Sequence, residues 1–502
     1  MQGDSMKSSQ TKSLQYLLQQ TFNIKTSLDL PVTLISYDSR YIIPDTCFIA
    51  LQGHVYNGED YIDEAIANGA TSVLQQKDTF NIKYHADYNV PIITIPNLSE
   101  KVGNLAAAFY NYPSKELNLV GITGTNGKSS LVFLIANALE ELEQKAAFLG
   151  TIGRGSTNNY KPCSRTTEPP VLLQKHLAEL KKTKTQTVAM EVSSHAISLN
   201  RIAGCDFSCL LFTNLSPDHI DFHKDYEEYK NVKLSLFKSY PKLPIIANID
   251  DKVGLELLNN HANERQTIGY SINGAIPDKS QYVIATKVEY SLQSTIINVN
   301  TSWGNTRIKT NLIGVFNVYN TLALLAYLLS VNYNLSQIEK ITNKLKNIPG
   351  RMELFQNKNK PLVVLDYAHN GEALEGILDF LRKHALGNII CVFGCGGDRP
   401  KARRFDMGKV ASNYADNIFL TQDNPRSEDI NNINNDILQA IENKNKVSII
   451  HDRKDAISQA IKSCKNTDVV LVSGKGHEQF QEIAGVKYKY SDIAAIKAAL
   501  LN

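Results

Sequence analysis

Apolar runs recur along the chain, each closed by Gly, Asp, Asn or Ser, and their order sets out three blocks. In the first, VTLISYDS and CFIALQG read as strands, DYIDEAIANGA as a helix and TSVL as a further strand. Pro113 and Ser114 in NYPSKEL punctuate its end. The second block opens on LNLVGIT and continues through TVAMEV, SCLLFTNL and PIIANID, with helical segments between them. Strands alternating with helices predict a mostly parallel sheet. Alternating residues in YVIATKVEY and TIINVN, near 282–311, predict an antiparallel excursion. A break at IPGRM, 348–352, precedes five apolar strands, LVVLDYA, IICVFG, IFLTQD, VSIIHD and VVLVSG, separated by helices. That last pattern predicts a doubly wound α/β domain. The expectation is an α/β chain with domains at 1–115, 116–347 and 348–502, without internal repeats and with nothing of lower complexity than NNINNDI.

Composition narrows the class without touching the chemistry. The chain has 502 residues, 43% hydrophobic and 21% charged, which suits about three domains with real cores. Lys and Arg number 53 against 50 Asp and Glu, so the net charge of +3 gives no basic footprint for nucleic acid. No apolar run approaches the roughly 18 residues that span a bilayer, and MQGDSMKSSQTKSL lacks the apolar centre of a signal peptide. Seven cysteines are scattered. The Cys205/Cys209 and Cys391/Cys395 pairs approach zinc spacing but sit in apolar strands, so buried thiols in a reducing cytoplasm are expected.

Chemistry enters at VGITGTNGKSS, 120–130, where a strand runs through a glycine-rich turn into the helix SLVFLIANALEEL. Glycines let backbone N–H groups close around phosphate oxygens, and the helix N-terminus adds partial positive charge. Lys128 is placed for the β/γ-phosphates and Ser129 for Mg²⁺. The strict G-x4-GK-[ST] pattern is not met, because Ile122 stands where it needs glycine and the glycines fall at 121, 124 and 127. Glu191, at the end of TVAME, falls where α/β sheets place ligands and can hold Mg²⁺. Periodicity alone makes Lys233, within V-x-L-x-L-F, a helix-surface lysine, and leaves His219 as readily a buried capping histidine as a ligand.

TGTNGKS resembles the ATP loop of the Mur ligases and of the related folylpolyglutamate synthetases, both ATP-dependent amide-forming ligases, and the likeness extends from about residue 15 to 500. It implies a small N-terminal uridine-binding α/β domain, a central P-loop ATPase-like domain and a C-terminal Rossmann-like domain for the amino acid. Gly124, Thr125, Asn126, Gly127, Lys128, Ser129 and Ser130 would hold the phosphates of ATP, and Asn317 in GVFNVYN would face adenine. FTNLSPDHIDFHKDYEEYKNVKLSLF resembles the segment whose lysine the family carbamylates with CO₂. Glu191, His219 and carbamylated Lys233 would hold one Mg²⁺, and Ser129 with Glu191 another; Lys128, Glu191, His219 and Lys233 are the implied catalytic set.

DSR, FIAL-x-G and the following G-x-x-Y resemble the E-type branch of the family, which binds a UDP-muramoyl-dipeptide. Ser39 would meet the uracil, and Gly53, His54, Val55 and Tyr56 would lie near the diphosphate. Thr166 and Thr167 in RTTEPP, with Ser193 and Arg201, would grip the muramoyl peptide; Glu168 is an insertion relative to the family's Thr-Thr-Pro, and Leu199 replaces a common polar residue. DYAHN carries Gly371 where proline is usual. DNPR, Asp423, Asn424, Pro425 and Arg426, goes with members that add meso-2,6-diaminopimelate rather than lysine, and Arg404, Gly474 and Glu478 match further contacts to it. Physics agrees: diaminopimelate carries an extra carboxylate, which a planar guanidinium can grip with two parallel bonds.

The implied reaction joins diaminopimelate to UDP-N-acetylmuramoyl-L-alanyl-D-glutamate through an acyl phosphate, in a cytoplasmic monomer whose domains close on their substrates, with no nucleic-acid or membrane partner. A lysine-adding ligase stays open as an alternative. A folylpolyglutamate synthetase would lack DSR…FIAL and DNPR. A guanine-nucleotide switch would carry N-K-x-D, which the chain lacks.

Overall fold

The computed structural model describes residues 11–53, 56–218, 222–274 and 278–501. The chain packs as two units, Met1–Ile268 and Gly269–Asn502. No helix among the described residues is long and apolar enough to cross a membrane.

The first unit begins with a five-stranded sheet in the order Leu34–Ser36, Thr46–Ala50, Ala70–Gln76, Pro91–Ile95, Asn81–Tyr84. All neighbours are parallel except the last pair. Thr46–Ala50 and Pro91–Ile95 are buried at every position, and the helices Leu14–Phe22 and Leu98–Phe109 share a core with Ile35, Ile49, Leu74 and Ile93. A single 3₁₀ turn, Pro113–Glu116, then leads into the next sheet.

In that sheet five strands lie parallel, in the order Ala146–Leu149, Thr187–Glu191, Asn118–Thr123, Phe207–Phe212, Ile245–Asn248. Their near-continuous apolar residues follow from helices covering both faces. A two-stranded antiparallel ribbon, Arg154–Gly155 and Tyr160–Lys161, adds an edge with no apolar signature. Asn118–Thr123 lies in the centre, so the glycine-rich turn leaves the sheet between the ends of Thr187–Glu191 and Phe207–Phe212. Such carboxyl-end positions are where α/β sheets bind ligands.

The second unit holds three antiparallel strands, Gln281–Tyr290, Thr295–Thr301 and Gly304–Thr310, which form the expected excursion, then the helices Val315–Ser330 and Leu335–Thr342. A six-stranded sheet follows, ordered Glu353–Phe355, Leu362–Asp366, Val469–Ser473, Ile389–Phe393, Asn417–Leu420, Val447–Ile449, parallel except for the first strand. Its side chains alternate cleanly. Val364, Cys391, Ile418 and Leu471 enter one core, while Val363, Val392, Phe419 and Val470 enter another on the opposite face. Period-two projection into two apolar layers is the physical content of the doubly wound pattern. Cys205, Cys209, Cys391 and Cys395 are buried free thiols, and burial raises each above the usual cysteine range.

Candidate active site

Two groups of functional side chains emerge, one in each unit. In the first, Gly124 has φ of +141°, and a Cβ there would collide with the Thr213 hydroxyl, so only glycine lets the loop turn this close to the neighbouring strand. Gly127, φ +87°, caps the helix Lys128–Glu141 at its N-terminus. Residues of the adjacent strand end then clamp the loop. Thr125 N donates to Asn214 O (2.8 Å), Asn126 N to Asn214 Oδ1 (2.9 Å), and Thr213 Oγ1 to Asn126 O (2.7 Å). Tyr229 Oη lies 3.1 Å from Thr125 Oγ1. Ser129 and Ser130 are buried in the first helical turn.

Two lysines converge on this loop. Lys128 Nζ donates to Gly124 O (2.9 Å) and Thr125 O (2.8 Å), folding back over the loop. Lys233 Nζ reaches the same Gly124 carbonyl at 2.7 Å from the helix Tyr226–Ser239. Its side chain is 2% exposed, so the surface lysine that periodicity suggests is instead interior. Burial, reinforced by the Lys128 charge, pulls the Lys233 ammonium well below the usual lysine range; Asp218 opposes the shift. Burial and the neighbouring cation thus both disfavour the charged form of this lysine.

Glu191 ends its strand buried, pairing in register with Ile122. Thr151 N donates to Oε1 (2.7 Å) and Thr151 Oγ1 lies 3.4 Å from Oε2. A Cβ on Gly150 would strike this carboxylate, so that glycine makes its room. The TTE segment is knitted to the same strand end: Thr167 Oγ1 donates to Glu191 O (2.9 Å), Ser193 N to Thr167 Oγ1 (3.1 Å), and Arg201 NH1 to Thr167 O (3.0 Å). Thr166 Oγ1 accepts from Thr151 Oγ1 (3.1 Å). The inserted Glu168 is buried and accepts from Ser164 N (2.7 Å) and Oγ (2.5 Å), so it staples its own loop.

In the N-terminal sheet Ser39 is buried and donates to Glu64 Oε2 (2.9 Å). Gly53 N donates to Tyr56 O (2.9 Å), and the Tyr56 ring is exposed. His54, Val55 and His219 lie outside the described residues.

In the second unit Asn317 is buried, with Nδ2 donating to Ile313 O (2.9 Å) and Oδ1 accepting from Asn320 (3.2 Å). The DNPR segment, the turn after Val469–Ser473 and Glu478 form one cluster. Gly474, φ +116°, brings the turn against Asp423. Asn424 Nδ2 donates to Glu478 Oε2 (3.1 Å), and burial raises Asp423 above the usual carboxylate range. Pro425 lies over Gly397, where a Cβ would meet its carbonyl. Arg426 has φ of +51°; its N–H donates to Glu482 O (3.0 Å) and its carbonyl accepts from Ala484 N (2.7 Å). The guanidinium donates to Gly397 O (2.6 Å) and stays partly exposed. Arg404 is placed differently: 1% exposed, it is held by Glu428 (2.7 Å) and Asp436 (2.9 Å).

Sequence reasoning passed over Thr151, Gly150, Tyr229, Asn214 and Lys475. Each acts through a long-range contact; only Lys475, set between two glycines in SGKGHE, left a trace in the motif.

Family models match residues 31–110 (Mur ligase family, catalytic domain), 122–328 (Mur ligase middle domain) and 350–476 (Mur ligase, glutamate ligase domain). A UDP-N-acetylmuramoyl-L-alanyl-D-glutamate–2,6-diaminopimelate ligase of Coxiella burnetii is 38% identical over 478 residues, covering 95% of this chain and 97% of the relative. One of the same name from Pseudomonas putida is 37% identical over 482 residues, covering 94% and 96%. A solved structure with that name superposes with a TM-score of 0.69 at 29% identity, covering 97% of this chain and 99% of its own. Folylpolyglutamate synthase of Mycobacterium tuberculosis, at 14% identity, TM-score 0.61 and 75% of this chain, shares the fold. The chain belongs to the Mur ligase family of ATP-dependent ligases.

Proposed function

We propose that this protein joins the amino group of meso-2,6-diaminopimelate to the D-glutamyl γ-carboxylate of UDP-N-acetylmuramoyl-L-alanyl-D-glutamate at the expense of ATP, building a peptidoglycan precursor. The observation that carries this reading is the DNPR turn with Glu478: Asn424 holds the Glu478 carboxylate, and the Arg426 guanidinium, anchored on Gly397 O, stays partly exposed, which provides a carboxylate and a guanidinium for an amino acid whose far end bears both charges. Its support is near-full-length similarity to diaminopimelate ligases. In this reading 1–115 takes the UDP-sugar through Ser39 and Gly53–Tyr56, 116–347 takes ATP, and 348–502 takes the amino acid.

The chemistry follows from charge. The D-glutamyl carboxylate attacks the γ-phosphorus of ATP, ADP leaves, and an acyl phosphate forms. Loop amides and Lys128, released from the loop carbonyls, meet the developing negative charge; positioning and electrostatics dominate such transfers. Thr166, Thr167, Ser193 and Arg201 orient the peptide. The amino group of diaminopimelate then attacks the acyl carbon and phosphate leaves. Arg426 grips the distal carboxylate and Glu478 the distal ammonium. Asn317 lies toward adenine.

The residues suit magnesium and a carbamate. Ser129 and the Glu191 carboxylate are hard oxygen donors beside the loop. Lys233, whose burial disfavours the charged form, would as a carbamate formed from the neutral amine and CO₂ with loss of a proton offer oxygen donors in place of a cation; with His219 it would complete the set. Magnesium bound there supplies charge neutralisation for the transferring phosphoryl group.

Release of ADP is the test, measured with UDP-muramoyl-dipeptide and either diaminopimelate or L-lysine. Release that needs the dipeptide and is strongest with diaminopimelate is expected. Preference for lysine would move the protein to the lysine-adding branch, and indifference to the dipeptide would overturn the proposal.

A further inference from the structure

Lys475 is the one fully buried ammonium in the second unit's cluster among the described residues, 0% exposed. Gly474 and Gly476, with φ of +116° and +52°, flank it and turn the backbone sharply after Val469–Ser473. Glu478 N donates back to Lys475 O (3.0 Å), so the turn lays Glu478 over the lysine. Nζ donates to Glu478 Oε2 (2.8 Å) and Asn424 Oδ1 (3.0 Å), and stands 3.9 Å from Asp423 Oδ1.

These contacts fix two side chains. Asn424 Oδ1 takes two donors, Lys475 Nζ and Glu482 N (2.9 Å), which leaves its NH₂ facing Glu478 Oε2. Oε2 thus receives both Lys475 and Asn424, while Oε1 has the Tyr367 hydroxyl at a long 3.5 Å and keeps acceptor capacity. Lys475 sets one cation against the two carboxylates Asp423 and Glu478, while the Arg426 guanidinium stands 3.8 Å from Glu482 at the more exposed rim. A carboxylate pair partly offset in this way suits a chain end that carries an ammonium together with a carboxylate. Without Lys475, two adjacent carboxylates would favour a bare ammonium.

We infer that Lys475 is a positioning and specificity-determining residue, which orients Glu478 and Asn424 and biases the amino-acid site toward a zwitterionic side-chain end over a simple cationic one. The inference rests on the amino-acid site proposed above and adds the device that tunes it.

Lys475→Met tests it, with kcat and KM measured separately for diaminopimelate, L-lysine and ATP. Loss of a charge-assisted bond to a buried carboxylate should lower kcat/KM for diaminopimelate by roughly tenfold or more, through KM, with the KM for ATP unmoved and the preference for diaminopimelate over lysine narrowed. Lys475→Gln keeps a donor in nearly the same space and covers a methionine variant that does not fold; it should show the same change, smaller. An unchanged diaminopimelate-to-lysine ratio overturns the inference, as does a parallel loss for all substrates. Failure of both variants to fold overturns it too, since Lys475 would then serve stability. An unsubstituted protein that ignores diaminopimelate overturns the proposed function as well; normal use of it with an unaffected variant overturns the role of Lys475 alone.

Discussion

Lys233 and Arg426 are basic side chains in opposite surroundings. Lys233 is interior, and Lys128 shares its carbonyl acceptor. Arg426 keeps part of its guanidinium open. Lys233→Ala should abolish ligation, and a small carboxylate added to the assay should restore part of it by supplying the missing anionic oxygens; full activity without rescue would remove the carbamate from the proposal. Arg426→Ala should raise the KM for diaminopimelate on the order of tenfold to a hundredfold and leave the KM for ATP unaltered, as steady-state kinetics would show. Arg426 was legible because its motif is local, four adjacent residues after an apolar strand. The burial of Lys233 was not, because an amphipathic pattern classes lysine as polar and does not reveal that the glycine-rich loop covers that side chain. Glu191 was legible as a strand end, but Thr151, its hydrogen-bond donor, belongs to another strand's loop.

Elements with two buried faces wrote themselves most clearly into the sequence. The apolar strands of both parallel sheets were readable because helices cover each side. Edge elements were less clear: Arg154–Gly155 and Tyr160–Lys161 are short and polar and left no signature, whereas Val447–Ile449 was read from VSIIHD although it is largely exposed. Close approaches between elements were equally silent, since a glycine's spacing does not say what its missing side chain makes room for. Gly150 is the case with a consequence. Gly150→Ala would press a methyl group on the Glu191 carboxylate. Displacing that group by a fraction of an ångström to one ångström should lower kcat by roughly a hundredfold, while thermal unfolding shifts by only a few degrees. An unaltered kcat would show that Glu191 has no catalytic place.

At the scale of the molecule, each unit has cores of its own. Calorimetry should therefore resolve more than one unfolding transition, and diaminopimelate should raise the one that belongs to Gly269–Asn502. A single transition insensitive to the amino acid would contradict both assignments. Net charge revealed nothing at this scale, because in the proposed function phosphates and carboxylates are met by a few placed groups and backbone amides. The left-handed backbone of Arg426, with its N–H and carbonyl both bonded to the Glu482–Ala484 segment, also limits how such a protein can change its diet. A left-handed residue other than glycine costs about 1–2 kcal/mol, and β-branched side chains fit worst. Glycine, asparagine or another unbranched residue could replace the arginine while keeping the turn; valine, isoleucine or threonine would disturb the turn along with the charge. Evolutionary routes to a new amino-acid preference at this position therefore bypass the β-branched residues, and a mutational library meant to retrain the enzyme should leave them out.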